Sequence, residues 1–273
     1  MSTTVSKSYQ VNLHTTLHTV QSGSPNARTV IILLHFWGGS TRTFSQLTPL
    51  LSSSDILTVA VDFPGWGSST GPIDDPSAYS IASLASSVES LIAQLNVRNF
   101  ILVGHSMGGK VAQLIAGRNL VHGLQGLILL APAPPSPLIL PEEMRVQQLA
   151  AYGSPQSAEF VARNVLSASP LSDQTIKIVV EDMLGGSKLA TAAWPGYAMA
   201  EDVSEIVSAT TARTLVLVGE LDSVETPERV RNEVVGNIKG AKIVVLPGVG
   251  HLLPLEASKE VARYIDEFCS ADS

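Results

Sequence analysis

The stretch Phe100-Ile101-Leu102-Val103-Gly104-His105-Ser106-Met107-Gly108-Gly109-Lys110-Val111-Ala112-Gln113-Leu114-Ile115 decides how this chain is built. Its opening apolar run, stopped by Gly104, reads as a short buried strand. From Met107 onward the spacing is helical, so the chain passes from strand to helix within a few residues around Ser106. A turn that sharp forces Ser106 into an unfavourable backbone region, and the small residues beside it give the chain room to reverse. A helix starting at that point also aims its first N–H groups at whatever faces the Ser106 hydroxyl.

Outward from this turn, short Val-, Ile- and Leu-rich runs alternate with segments of helical period. The strand candidates are residues 29–35, 56–62, 100–104, 127–131, 214–219 and 243–246, with a weaker pair before residue 22 that would open the sheet as an antiparallel hairpin. Ile81, Leu84, Val88, Leu91, Ile92 and Leu95 fall on one helical stripe, as do Val261, Tyr264, Ile265 and Phe268. This alternation predicts an α/β fold: a mostly parallel twisted sheet with helices on both faces. Residues 133–203 interrupt it, with a helical stripe at Ile176, Val179, Val180, Met183 and Leu184 and no convincing strand. The expected organisation is a core of residues 1–132 and 204–273, with residues 133–203 as a helical cap inserted after the sixth strand, above the sheet's carboxyl edge, where open α/β sheets bind ligands.

A chain of 273 residues with 45% hydrophobic and 15% charged residues can bury a large core. A net charge of -7 argues against nucleic acid or an anionic membrane surface as partner and favours a small, neutral substrate. The uncharged run from Gly123 to Pro141 is long enough to span a bilayer, but Pro132, Pro134, Pro135, Pro137 and Pro141 would break a spanning helix, so no membrane span is expected. Cys269 is the single cysteine, which rules out an intrachain disulfide framework. With no targeting segment visible behind Lys7, the expected location is cytoplasmic. No metal or other cofactor is expected.

A serine hydroxyl needs a base to become a nucleophile, and histidine titrates in the right range. Among six histidines, His251 is best placed: it follows the last strand in the glycine-rich loop Leu246-Pro247-Gly248-Val249-Gly250-His251. His14, His18 and His122 have surface or edge positions, and His105 is expected to point away from the cleft. The base needs a carboxylate to orient it. Asp222, in the loop after residues 214–219, is the choice, with Glu220 and Glu225 as rivals nearby. Two N–H donors must meet a developing oxyanion; Met107 supplies one candidate and Trp37, in His35-Phe36-Trp37-Gly38-Gly39, the other.

Taken together, these segments resemble the α/β-hydrolase superfamily, and within it the capped esterases, lactonases and cofactor-free haloperoxidases or perhydrolases. G-H-S-M-G-G at residues 104–109 resembles its nucleophile elbow and H-F-W-G-G at 35–39 its oxyanion loop. D-F-P-G-W-G-S-S from Asp62 resembles its structural turn, G-E-L-D at 219–222 its acid loop and G-V-G-H at 248–251 its histidine loop. The resemblance implies a serine esterase or lactonase acting through an acyl-enzyme, with Ser106, Asp222 and His251 catalytic and Asp62 serving the turn only. The same triad would also suit perhydrolysis, acyl transfer or carbon–carbon bond hydrolysis, and the fold alone would suit a non-catalytic binding protein. One departure stands out: the family has glycine where this chain has Phe36. Phe36, Trp194 and Met183 are the expected substrate contacts, with Met144 and Met199 as further candidates from the cap.

Overall fold

A computed structural model of the chain describes residues 3–51 and 55–271. Eight strands form one sheet: β1 (Thr3–Asn12), β2 (Thr15–Gly23), β3 (Thr29–Leu34), β4 (Ile56–Val61), β5 (Phe100–His105), β6 (Leu124–Leu130), β7 (Arg213–Gly219) and β8 (Lys242–Leu246). Their spatial order is β1-β2-β4-β3-β5-β6-β7-β8. β2 runs antiparallel to both its neighbours, and every pairing from β4 to β8 is parallel. The expected opening hairpin is therefore present, with Tyr9 opposite Leu17 in its register.

The central strands read as continuous apolar runs because both of their faces are covered. Successive side chains point to opposite sides, so Ile32, Leu34 and Leu102 join one core while Ile31, Leu33, Ile101 and Val103 join the other. On the first side the helix Ile81–Leu95 buries Ile81, Leu84, Val88, Leu91 and Ile92. Burying each of its larger aliphatic side chains contributes roughly 1.5–3 kcal/mol. The Ser80 side chain caps that helix by accepting from the Ser83 N–H, and Asn96 ends it in the left-handed region at φ +51°. On the second side the helix Ser258–Ser270 lays Val261, Ile265 and Phe268 against the sheet.

Between β6 and β7 the chain forms the helices Glu142–Ala150, Pro155–Val161, Asp173–Gly185, Lys188–Gly196 and Ser204–Ser208, and the described residues 133–203 contain no strand. The two ends of this segment are tied together: the Val203 N–H donates to the Pro135 carbonyl at 2.9 Å and the Leu138 N–H to the Met199 carbonyl at 2.9 Å. Lys110, on the helix Met107–Arg118, clamps the junction by donating to the Ser136 and Met199 carbonyls at 3.1 and 3.0 Å. No described helix is long and apolar enough to cross a membrane.

The turn after β4 is built around Asp62. Its carboxylate accepts from the Thr41 and Ser68 N–H groups at 2.6 and 2.9 Å and pairs with His18 Nδ1 at 2.8 Å. His18 thus has a specific partner, which its place in an edge hairpin does not announce.

Candidate active site

Ser106 stands at the turn from β5 into the helix Met107–Arg118 with φ +54° and ψ −117°, outside the regions that suit an L-residue. Its neighbours hold it there. The Ser106 N–H donates to the Leu130 carbonyl at 3.0 Å, and the Ser106 carbonyl accepts from Gly109 and Ala133 at 2.8 and 3.1 Å. Gly108 brings the helix directly onto β3, where a Cβ would lie 2.5 and 2.6 Å from the carbonyl oxygens of Leu34 and His35.

His251 lies in the loop beyond β8. Its N–H donates to the Leu166 carbonyl at 2.8 Å, its own carbonyl accepts from His105 Nε2 at 2.7 Å, and its Nδ1 meets Asp222 Oδ2 at 2.8 Å. The other Asp222 oxygen accepts from the Val224 and Glu225 N–H groups at 2.8 and 2.9 Å. With Nδ1 donating to a carboxylate, Nε2 is left as the free basic nitrogen. Burial opposes a charge on either partner, yet their mutual attraction and hydrogen bond raise the His251 pKa above its ordinary value. The same contacts, with the two backbone donors, hold Asp222 below the usual carboxylate range. Of the rival acids, Glu220 accepts from the Gly248 N–H at 3.0 Å and Glu225 faces Arg229, so the carboxylate at His251 is that of Asp222.

Ser106 and His251 line one cavity of about 620 Å³, with Phe36, Trp37, Tyr152 and Trp194 among its walls. The Ser106 hydroxyl makes no hydrogen bond to another described residue, and the Trp37 and Met107 N–H groups likewise have no acceptor among the described residues. Trp37 is pinned on three sides: its ring stacks on Tyr152 at 4.1 Å, its Nε1 donates to the Thr191 carbonyl at 3.1 Å, and its carbonyl accepts from the Tyr152 hydroxyl at 2.8 Å. Gly38, at φ +92°, leaves the space that the Tyr152 ring occupies.

Phe36 is buried, with its ring 5.3 Å from that of His105 and packed onto Gly39, where a Cβ would collide with it. Its carbonyl accepts from His35 Nδ1 at 2.7 Å, while His35 Nε2 accepts from the Phe63 N–H at 3.0 Å, so His35 is a neutral strut beneath the loop. Burial pushes the His35 pKa down to about 4. Of the expected substrate contacts, Phe36 and Trp194 line the cavity and Met144 sits exposed at its wall. Met183 and Met199 do not line it: both are buried in the core, Met183 beside Ile176 and Val179 on the inward stripe of its helix.

Sequence reasoning missed three residues of this site. His105 does turn from the cleft, but it packs 5.3 Å from the His251 ring and holds that residue's carbonyl; burial pushes its pKa down to about 3, so it stays neutral. Tyr152 and Arg229 also reach the cavity. Neither belongs to a motif that sequence spacing could have flagged.

A mostly parallel eight-stranded sheet in this order, with a strained serine after β5 and a histidine–aspartate pair from the loops after β8 and β7, has the architecture of an α/β-hydrolase. Residues 31–264 match the sequence profile described as the alpha/beta hydrolase family, and the chain belongs to that family. The Mycoplasma genitalium protein named "Putative esterase/lipase 2" is 26% identical over 268 residues, covering 94% of this chain and 95% of its own. A Bacillus subtilis protein named as an AB hydrolase superfamily member is 26% identical over 251 residues, covering 88% of this chain and 91% of its own. Among solved structures, an esterase from Exiguobacterium antarcticum superposes with a TM-score of 0.87 at 20% identity, covering 98% of this chain and 100% of its own. These similarities make the chain a hydrolase-type member of the superfamily with esterase- and lipase-like relatives.

Proposed function

We propose that the protein is a serine hydrolase that cleaves carboxylic esters or lactones of small, largely apolar substrates through an acyl-enzyme. The observation that carries this reading is the placement of Ser106, at φ +54°, on the wall of a cavity shared with a His251 whose Nδ1 is engaged by Asp222 at 2.8 Å. In the proposed reaction the Ser106 oxygen attacks the acyl carbonyl while His251 Nε2 takes its proton. Asp222 stabilises the imidazolium, and the Trp37 and Met107 N–H groups, which lack partners among the described residues, receive the oxyanion. His251 then protonates the leaving alcohol, and water, activated by the same histidine, releases the acid. Residues 133–203 act as the cap over a core of residues 1–132 and 204–273, with Phe36 and Trp194 shaping the acyl pocket.

The test is covalent labelling by a fluorophosphonate together with hydrolysis of an aryl ester and lactone series. The expected result is modification at Ser106, with labelling and turnover both lost in Ser106→Ala. Folded protein that neither labels nor turns over any ester would refute the reading.

A further inference from the structure

The cavity that holds Ser106 and His251 is largely apolar, yet one permanent charge faces it: among the described residues lining it, Arg229 is the only Lys, Arg, Asp or Glu. Its side chain is 23% exposed, and it ends the short helix Pro227–Arg229 a few residues beyond Ser223 and Val224, which line the same space. Leaving a guanidinium on an apolar wall is costly unless its donors are used.

Its own partners do not use all of them. Nε donates to Glu233 at 3.2 Å, Nη1 stands 3.4 Å from Glu225 Oε2 without completing a hydrogen bond, and Nη2 has no acceptor among the described residues. Glu233 is shared with the Ser136 hydroxyl, which donates to it at 2.5 Å. Glu225 is buried, and that burial pushes its pKa up to about 8, which weakens it as a counter-charge for Arg229. The nearby cation Lys110 is committed to the Ser136 and Met199 carbonyls. Arg229 is thus ion-paired with Glu233 through Nε alone and keeps donor capacity at its outer nitrogens, and a guanidinium fork matches the geometry of a carboxylate.

We propose that the substrate carries one anionic group, a carboxylate, on its otherwise apolar body, and that Arg229 is the residue that selects it. The inference rests on Ser106 being the nucleophile only for the identity of the bond cleaved; the anion site is a property of the cavity wall. A substrate of this kind differs from the small, neutral one that net charge favours, because the acidic balance of the whole chain does not set the sign of charge inside one cavity.

The test compares esters that differ only in that charge. Methyl alkanoates and monomethyl dicarboxylates of equal chain length, from succinate to suberate, place it on the acyl side; acetate esters of alcohols and of ω-hydroxy acids place it on the alcohol side. The expected result is that, in at least one series, kcat/KM favours the charged member by about tenfold or more, the scale of one charge-assisted hydrogen-bonded contact. Arg229→Gln collapses that ratio towards one and Arg229→Lys keeps part of it. The readout is the ratio, because disturbing Glu225 would slow both members together. No preference for the charged member in either series, or a preference that survives Arg229→Gln, overturns the inference. If no ester turns over, calorimetric titration of Ser106→Ala and Ser106→Ala/Arg229→Gln with monomethyl adipate separates the two readings. Binding to the first variant and not the second keeps the anion site while the hydrolase mechanism fails; equal binding or none to either overturns it.

Discussion

The Tyr152 hydroxyl donates a 2.8 Å hydrogen bond to the carbonyl of Trp37, so a residue of the segment between β6 and β7 holds the loop that carries the proposed second oxyanion donor. Tyr152→Phe keeps the ring stack and removes only this bond, whose net worth is about 0.5–1.5 kcal/mol. If the bond orients the loop for the transition state, kcat should fall about two- to tenfold with KM nearly constant. Steady-state kinetics on an aryl ester check this; a change confined to KM would assign Tyr152 to substrate packing instead.

In the proposed mechanism the Asp222–His251 pair sets the pH dependence. His251 must be neutral to act as base, and its pKa is raised above the ordinary 6.5, so kcat/KM should climb with pH along one limb whose midpoint lies above 6.5. Asp222→Asn removes the carboxylate that raises it, so the limb should move to lower pH while the rate falls by about four orders of magnitude through loss of tautomer control. The linked stability effects have opposite signs. The raised His251 contributes stability that is lost as pH rises through its folded pKa, and the lowered Asp222 contributes stability that is lost as pH falls through its own.

Ser106 bears backbone strain on the order of 1–3 kcal/mol at φ +54°, ψ −117°. Ser106→Ala keeps that strain and Ser106→Gly relieves it, against a loss of about 1 kcal/mol for the extra freedom of glycine in the unfolded chain. Both variants should be inactive, and the glycine variant should be the more stable by up to about 2 kcal/mol in denaturant unfolding. A glycine variant less stable than the alanine one would mean the turn is not strained.

Phe36 fills space between the Gly39 backbone, His105 and the cavity. Phe36→Ala should cost about 3–5 kcal/mol of stability through the void it leaves. It should also move the acyl preference towards bulkier groups in a chain-length series. Loss of stability with an unchanged preference would make Phe36 a packing residue only.

Much of the fold was legible because parallel strands buried on both faces read as apolar runs, and helices such as Ile81–Leu95 declare their inward stripe. The helix Glu142–Ala150 buries none of its residues, so it left no periodic trace. Met183 and Trp194 are both apolar residues on helices between β6 and β7; one faces the core and the other the cavity, which periodicity cannot distinguish. Trp37 and Tyr152 are 115 positions apart, and no local pattern anticipates their contact.

What the sequence determined by itself is what neighbouring residues control. The strand-to-helix turn at Ser106 follows from the small residues around it, the sheet from runs of apolar side chains, and the order of the serine, acid and histidine loops from the order of the chain. Tertiary structure alone set the rivals Glu220 and Glu225 apart from His251 and brought Asp222 to it, packed Phe36 over Gly39, and placed Arg229 on an apolar cavity. Each of these depends on distances between segments far apart in the chain, set by how the sheet and its covering helices pack.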